Sequence, residues 1–295
     1  MSGEILGVLG ESGSGKSTLA ASVVRLLPSN GRITRGAVLF AGKDLVELNA
    51  EELRQIRGRR IALIFQEASL ALHPTMRAGE QVRQVLAAHG VAAGGGLHAR
   101  ALEIFSTVFS EEAERIFQSY PHQLSGGQRQ RVLIAQAIAC GPRVLIADEP
   151  TASLDPTTQM EILGVFRGLR EKLGLAMIFI THNPALLVGF AERVMVLYGG
   201  RIVEMGSAAE VLGSPRHPYT KALFQSVPAN IEAGEDARKS KLPAIAGDSS
   251  LAWLSREGCG FEPRCAERME ICKVREPTLV SVGKRQEVSC WKYEK

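Results

Sequence analysis

The sequence predicts an α/β protein built on a mainly parallel sheet with helices on both faces. Three observations predict it. Short, wholly apolar runs recur along the chain without the polar alternation of a half-exposed strand, the pattern of strands buried on both faces. Stretches with helical spacing separate most of these runs. A glycine-rich turn joins the first run to the first helical stretch.

In chain order, EILGVLG (4–10) is a glycine-bounded buried strand, and KSTLAASVVRLL (16–27) keeps helical spacing up to Pro28. GAVLFAGKDL (36–45) has the look of a hairpin and RIALIFQ (60–66) that of a second buried strand. From about Glu67 to Ala139 the pattern is helical, interrupted by AAGGGL (92–97), an expected exposed loop. Strand-like runs return as RVLIA (143–147), LAMIFI (175–180) and RVMVLY (193–198), with helical stretches between them. After HPYTKALFQSVP (217–228) the composition turns charged and loses its aromatics, so 229–243 reads as a linker into a small cysteine-bearing tail.

Composition narrows the class. With 45% apolar and 22% charged residues, the 295-residue chain is globular, neither disordered nor fibrous. No apolar run approaches the roughly 20 residues that span a bilayer, and the first residues lack a basic region and a cleavage site. The expectation is a cytosolic protein that would act on a membrane only through partner chains. The net charge of +4 is small, and its basic runs, 54–60 and 238–241, read as solvated faces rather than a nucleic-acid or lipid patch.

GESGSGKS (Gly10–Ser17) fits the phosphate-loop pattern, with four residues between Gly10 and Gly15, then Lys16 and Ser17. Glycines let successive N–H groups turn inward around phosphate oxygens at a helix N-terminus. Lys16 has the reach for β- and γ-phosphates, and the Ser17 hydroxyl can ligate Mg²⁺. RVLIADEP then delivers Asp148 and Glu149 to the C-terminal end of a strand, where open α/β sheets bind ligands. Asp148 suits a Mg²⁺ shell and Glu149 an attacking water, the parts that phosphoryl transfer needs. Alone, the acidic pair would read as a helix cap or a solvated turn.

LSGGQRQR (124–131) lies between them, and with it the chain resembles the ATP-binding subunits of ABC transporters. The resemblance makes this stretch the family signature, Gln66 its Q-loop, SLD (Ser153–Asp155) its D-loop and His182 in ITHN its switch histidine. The order and spacing agree, with Ser125 lying 23 residues before Asp148 and His182 lying 33 after Glu149. It implies a P-loop NTPase core over 1–228 with an inserted helical subdomain at about 67–140, a linker at 229–243 and a C-terminal extension at 244–295. It implies that Gly10, Glu11, Ser12, Gly13, Ser14, Gly15, Lys16, Ser17 and Thr18 hold ATP, with Gln66, Asp148 and Asp155. Ser17, Gln66 and Asp148 would hold Mg²⁺, and Lys16, Gln66, Glu149 and His182 would serve the reaction. Ser125, Gly126, Gly127 and Gln128 open a helix whose N–H groups suit a phosphate. By the resemblance that phosphate belongs to ATP on a second subunit paired head to tail.

YPHQLSGGQRQR, HPYTKAL and GCGFEPRC narrow the resemblance to the oligopeptide, dipeptide and nickel importer branch. That branch implies a second ATPase subunit, identical or paralogous, two membrane-spanning permease subunits and an external solute-binding protein. It implies a place on the cytoplasmic face of the membrane, and no nucleic acid. Two departures stand out. Only nine residues precede Gly10, none aromatic, where the family has a strand pair with an adenine-stacking aromatic; the expectation is a longer natural chain or a misassigned start. Asn183 follows His182 where the family usually has an acidic residue.

Four of five cysteines, Cys259, Cys265, Cys272 and Cys290, fall in the tail with spacing C-x5-C-x6-C-x17-C, which matches neither common zinc spacing nor the bacterial ferredoxin run. Some members of the resembled branch carry a [4Fe–4S] cluster on this pattern; zinc, plain thiols and disulfides stay open beside it. Cys140 reads as a small buried residue. Two rival readings remain, a soluble ABC-type ATPase acting on nucleic acid and a docking module with weak ATPase activity. A single ATPase unit and the absence of a basic stripe weigh against the first.

Overall fold

The computed structural model describes residues 3–66, 71–91, 96–226, 245, 247 and 257–294. In chain order its elements are β1 (Ile5–Leu9), α1 (Lys16–Val23), β2 (Leu39–Phe40), β3 (Lys43–Asp44), α2 (Ala50–Ile56) and β4 (Ile61–Ile64). Next come α3 (Ala78–Ala88), α4 (Gly96–Phe109), α5 (Ala113–Gln118), α6 (Gly126–Ile138), β5 (Val144–Asp148), α7 (Pro156–Leu173) and β6 (Ala176–Thr181). The chain closes with β7 (Arg193–Tyr198), β8 (Arg201–Ser207), α8 (Ala208–Gly213), α9 (Pro218–Gln225), α10 (Ile271–Val274), β9 (Leu279–Ser281) and β10 (Gln286–Ser289). They fall into two compact units, Met1–Glu4 with Ser17–Ile180, and Ile5–Lys16 with Thr181–Lys295.

In the first unit β4, β5 and β6 run parallel, with Ile61 opposite Val144 and Val144 opposite Ala176. Leu145, Ile146 and Ala147 are buried, as a strand covered on both faces requires. Asp155 caps α7, Pro156 takes its first position, and Gly174 ends it at φ 62°. Its Ile162, Leu163, Phe166 and Leu169 form the buried stripe, and Phe166 meets Phe179 of β6 edge to face at 5.6 Å. Helices α3 to α6 make the helical subdomain. Phe105 at its centre stacks on Phe109 at 5.5 Å and meets Phe117 edge-on at 5.2 Å.

In the second unit β1 lies parallel to β7, with Leu6 opposite Arg193, and β7 turns into antiparallel β8. The tail adds two strands, β10 antiparallel to β8 and β9 antiparallel to β10. Nothing in the tail's periodicity predicts them, because two strands of three and four residues are too short to show one.

Where the sequence predicts helix up to Pro28, α1 stops at Val23. Arg25 turns to φ 52°, and the Arg57 guanidinium donates to the Val24 carbonyl at 2.8 Å and the Arg25 carbonyl at 2.7 Å. A residue of the RQIRGRR run thus closes a helix end. Residues 92–95 of the expected loop and all of 229–243 lie outside the described residues, and Gly96 and Leu97 already belong to α4. Cys140 is partly exposed rather than buried. Among the described residues no helix is long and apolar enough to cross a membrane.

Candidate functional site

The phosphate loop is built by close approach. Strand β1 buries Ile5, Val8 and Leu9 completely, and the chain then turns at Gly10, where a Cβ would come within 2.4 Å of the Leu197 carbonyl and 2.5 Å of Ser14 Oγ. No other residue fits there. Gly13 and Gly15 continue the turn at φ 79° and 98°. The Ser14 N–H donates to the Glu11 carbonyl at 3.2 Å, and the Gly200 N–H donates to the Ser14 carbonyl at 2.9 Å, anchoring the loop on the β7–β8 turn.

Two polar groups collected by this turn suit a nucleotide. Lys16 is 4% exposed, and its ammonium donates to the carbonyls of Gly10 at 2.8 Å and Glu11 at 2.9 Å. Ser14 Oγ is buried with no hydrogen-bond partner among the described residues, at a typical cost of about 1–3 kcal/mol. A phosphate oxygen would satisfy it within reach of the Lys16 ammonium. Ser12 and Gly13 are exposed at the loop's tip.

In the first unit Ser17 and Thr18 are exposed in the first turn of α1, and Gln66 is exposed just past β4. Asp148 ends β5 at 4% exposure. Glu149 follows at φ 46°, left-handed for a non-glycine residue, held by its N–H to the Ile180 carbonyl at 3.0 Å and by the Ala152 N–H to its own carbonyl at 3.2 Å. Asp155 turns its carboxylate onto the N-terminus of α7, accepting from Thr158 N at 3.0 Å and Thr158 Oγ1 at 2.6 Å, which lowers its pKa. Ser125 is the exposed N-cap of α6 in a reciprocal capping box: Gln128 N donates to Ser125 Oγ at 3.2 Å, and Ser125 N donates to Gln128 Oε1 at 3.0 Å. Gly127 is buried behind it, where a Cβ would meet Thr158 Cγ2 at 2.5 Å.

In the second unit His182 is exposed immediately after β6. Asn183 explains its own presence: Oδ1 accepts from Ala185 N at 3.0 Å, and its N–H donates to Thr181 Oγ1 at 3.0 Å, capping the short 3₁₀ turn at Pro184–Leu187. Sequence reasoning passed over Tyr219, whose hydroxyl accepts from the Glu11 N–H at 2.8 Å, and Arg264, which pairs with the Glu11 carboxylate. Both sit in stretches singled out only as resemblances; the one local signal was an acid placed inside a phosphate loop.

All five cysteines are free thiols. The four in the tail converge: the Cys259 N–H donates to the Cys272 carbonyl at 2.8 Å, and burial, then the neighbouring cysteines, push the Cys259 thiol up to about 11. Burial also raises Cys265, with further charge from Cys290 and Cys272, and Cys290, with further charge from Cys272. Among the described residues, however, no three His, Cys, Asp or Glu side chains are grouped to hold a metal ion.

Comparison with known proteins fits this geometry. The family described as ABC transporter matches residues 1–152, and the oligopeptide/dipeptide transporter C-terminal region matches 203–272. A probable peptide ABC transporter ATP-binding protein of Sinorhizobium fredii is 40% identical over 292 residues, covering 99% of this chain and 86% of the relative. The chain belongs to the ABC transporter ATP-binding subunits. A dipeptide transport ATP-binding protein of Caldanaerobacter subterraneus is 41% identical, covering 98% and 87%, and an oligopeptide transport ATP-binding protein of Bacillus subtilis is 40% identical, covering 98% and 80%. Among solved structures, the ATP-binding cassette MJ0796, a dimer in a post-hydrolysis state bound to ADP and Pi, aligns at TM-score 0.61 and 33% identity, covering 70% of this chain and 87% of that one. As a member of this family the chain is an ATPase with the P-loop fold, a mixed but mostly parallel sheet and an inserted helical subdomain.

Proposed function

We propose that this chain hydrolyses ATP to power an importer of dipeptides or oligopeptides. The observation that carries the ATP reading is the phosphate loop, where one turn gathers a buried lysine and a buried, unsatisfied serine hydroxyl ahead of a helix N-terminus. The cargo class rests on the peptide-transport relatives, aligned along 98–99% of the chain.

In this reading the loop Gly10–Thr18 binds the phosphates, with Lys16 as the positive contact. Ser17, Gln66 and Asp148 would hold Mg²⁺, which when bound offsets phosphate charge. Glu149 orients the water that attacks the γ-phosphate, its backbone strain fixing where the carboxylate points. His182 and Asp155, both C-terminal to Glu149 in the sequence, serve the nucleotide. The α6 N-terminus, Ser125 to Gln128, presents donors to ATP on a second ATPase subunit, identical or paralogous. Two permease subunits and a solute-binding protein complete the importer, placing this chain on the cytoplasmic face of the membrane, without nucleic acid.

The test is Glu149→Gln, which keeps shape and removes charge. Turnover should fall by on the order of 10²–10⁴ while ATP still binds; undiminished hydrolysis would refute the role of Glu149.

The tail's four thiols hold an iron–sulfur cluster in this reading. What supports it is the resemblance together with the nearness of Cys265, Cys272 and Cys290 to Cys259, whose thiol burial and then their charge raise. Bound, it would supply a one-electron couple and a covalent staple for a short tail. Anaerobically purified protein should carry about four irons and four sulfides per chain. One zinc per chain, or no metal, rules the cluster out.

A further inference from the structure

The phosphate loop carries an acid, Glu11, where it is electrostatically unwelcome. A carboxylate one residue past Gly10 would repel the nucleotide that the loop binds. The structure answers this with a residue from the tail. Arg264 forms a two-pronged pair with Glu11, Nη1 to Oε2 at 2.7 Å and Nη2 to Oε1 at 3.1 Å. The Arg264 side chain is 3% exposed and that of Glu11 25%, so the pair is largely withdrawn from screening water. Nη1 also donates to the Tyr198 hydroxyl and Nη2 to the Ile245 carbonyl, each at 3.3 Å, and the guanidinium lies 5.7 Å from the centre of the Tyr198 ring.

Glu11 is thereby held at every polar group: its N–H by Tyr219, its carboxylate by Arg264 and its carbonyl by the Lys16 ammonium. A shift of the carboxylate moves the carbonyl on which Lys16 rests. Arg264 is itself fixed, ending the 3₁₀ turn Glu262–Arg264 next to Cys265. Phe261 just before that turn is buried against Tyr198 at 5.2 Å and Tyr219 at 5.4 Å.

We infer that Arg264 is a positioning residue of the ATP site: it neutralises Glu11 and fixes the phosphate loop, so the cysteine-bearing tail sets nucleotide affinity. The inference rests on the proposed ATP reading. It makes the loop responsive to whatever orders or loosens the segment between Cys259 and Cys265, because that segment carries the guanidinium.

The test is a double-mutant cycle on the full chain, reading the dissociation constant of a fluorescent ATP analogue with Mg²⁺, alongside the thermal midpoint. Arg264→Gln leaves the carboxylate uncompensated and should weaken binding by about tenfold or more. Glu11→Gln should weaken it less. The double variant should return to within about threefold of wild type, since the two changes remove one interaction. Arg264→Lys, which keeps charge without the fork, should fall between. A purely structural pair would lower the thermal midpoint and leave affinity unchanged in the folded variants. That result, or losses that multiply in the double variant, overturns the inference. If Arg264→Gln does not fold, Glu11→Gln and the double variant still decide. Failure of the wild-type chain to bind the analogue would instead overturn the ATP reading, and the inference with it.

Discussion

Glu149 shows what one residue reveals that a motif does not. Its place after four apolar strand residues was legible, but its φ of 46° was not, since the strain comes from the Ile180 and Ala152 hydrogen bonds that clamp it. A non-glycine residue there costs about 1–3 kcal/mol and persists only where neighbours enforce it. Lys16 and Ser17 were legible because their chemistry is local to eight residues. Arg264 and Tyr219 were not, because they reach Glu11 from 253 and 208 residues away. Buried polar groups are equally silent in sequence. Glu204 is fully buried and accepts from Arg216 N at 2.8 Å, His217 N at 2.9 Å and Gln286 Nε2 at 2.7 Å. Beside it His217 caps α9, Nδ1 accepting from Tyr219 N at 3.0 Å, and burial drives its pKa down to about 3 despite its hydrogen bond with the Ser289 backbone. The folded chain therefore keeps His217 neutral while an unfolded chain protonates it near pH 6.5, so its contribution is full above pH 6.5 and lost as pH falls toward 3. His217→Asn keeps a capping acceptor and removes the titration. Its thermal midpoint should fall less steeply than wild type between pH 6.5 and 4.5; equal slopes would show that His217 is not responsible.

Elements were most legible where burial is two-sided. The apolar runs predicted β5, β6 and β7 to within a residue or so, since a strand covered on both faces must be apolar throughout. Helix ends were harder. The end of α1 is set by Arg57, more than thirty residues on, and no local signal in α1 announces it. The tail strand β10 exists because β8 offers it an edge, and β9 because β10 then offers the next, facts absent from their own residues. The start of α6 separates a structural role from a functional one. Ser125 caps the helix, worth about 1 kcal/mol, and is also the proposed phosphate donor of a partner's site. Aspartate caps as well as serine but carries a negative charge. Ser125→Asp should leave thermal stability close to wild type and reduce ATP turnover by on the order of tenfold or more through repulsion of the phosphate. A stability loss matching the activity loss would assign Ser125 to capping alone.

At the scale of the molecule, the family and the order of its motifs were legible at once, because each motif is a short run with its own chemistry. How the tail serves the rest was not. The four cysteines could be counted, but their convergence depends on the Cys259–Cys272 backbone bond and on packing around Phe261. Tail, α9 and phosphate loop meet within one compact unit, so the oligopeptide-type C-terminal region is joined physically to the ATP-binding loop of the same unit. The central claim, that ATP hydrolysis by this chain drives peptide import, is tested most directly by uptake of labelled di- and oligopeptides. Cells carrying wild-type chain or Glu149→Gln as their sole copy should differ: uptake with the wild type, and at most a few per cent of it with Glu149→Gln at equal protein level. Equal uptake by the two strains would contradict the claim.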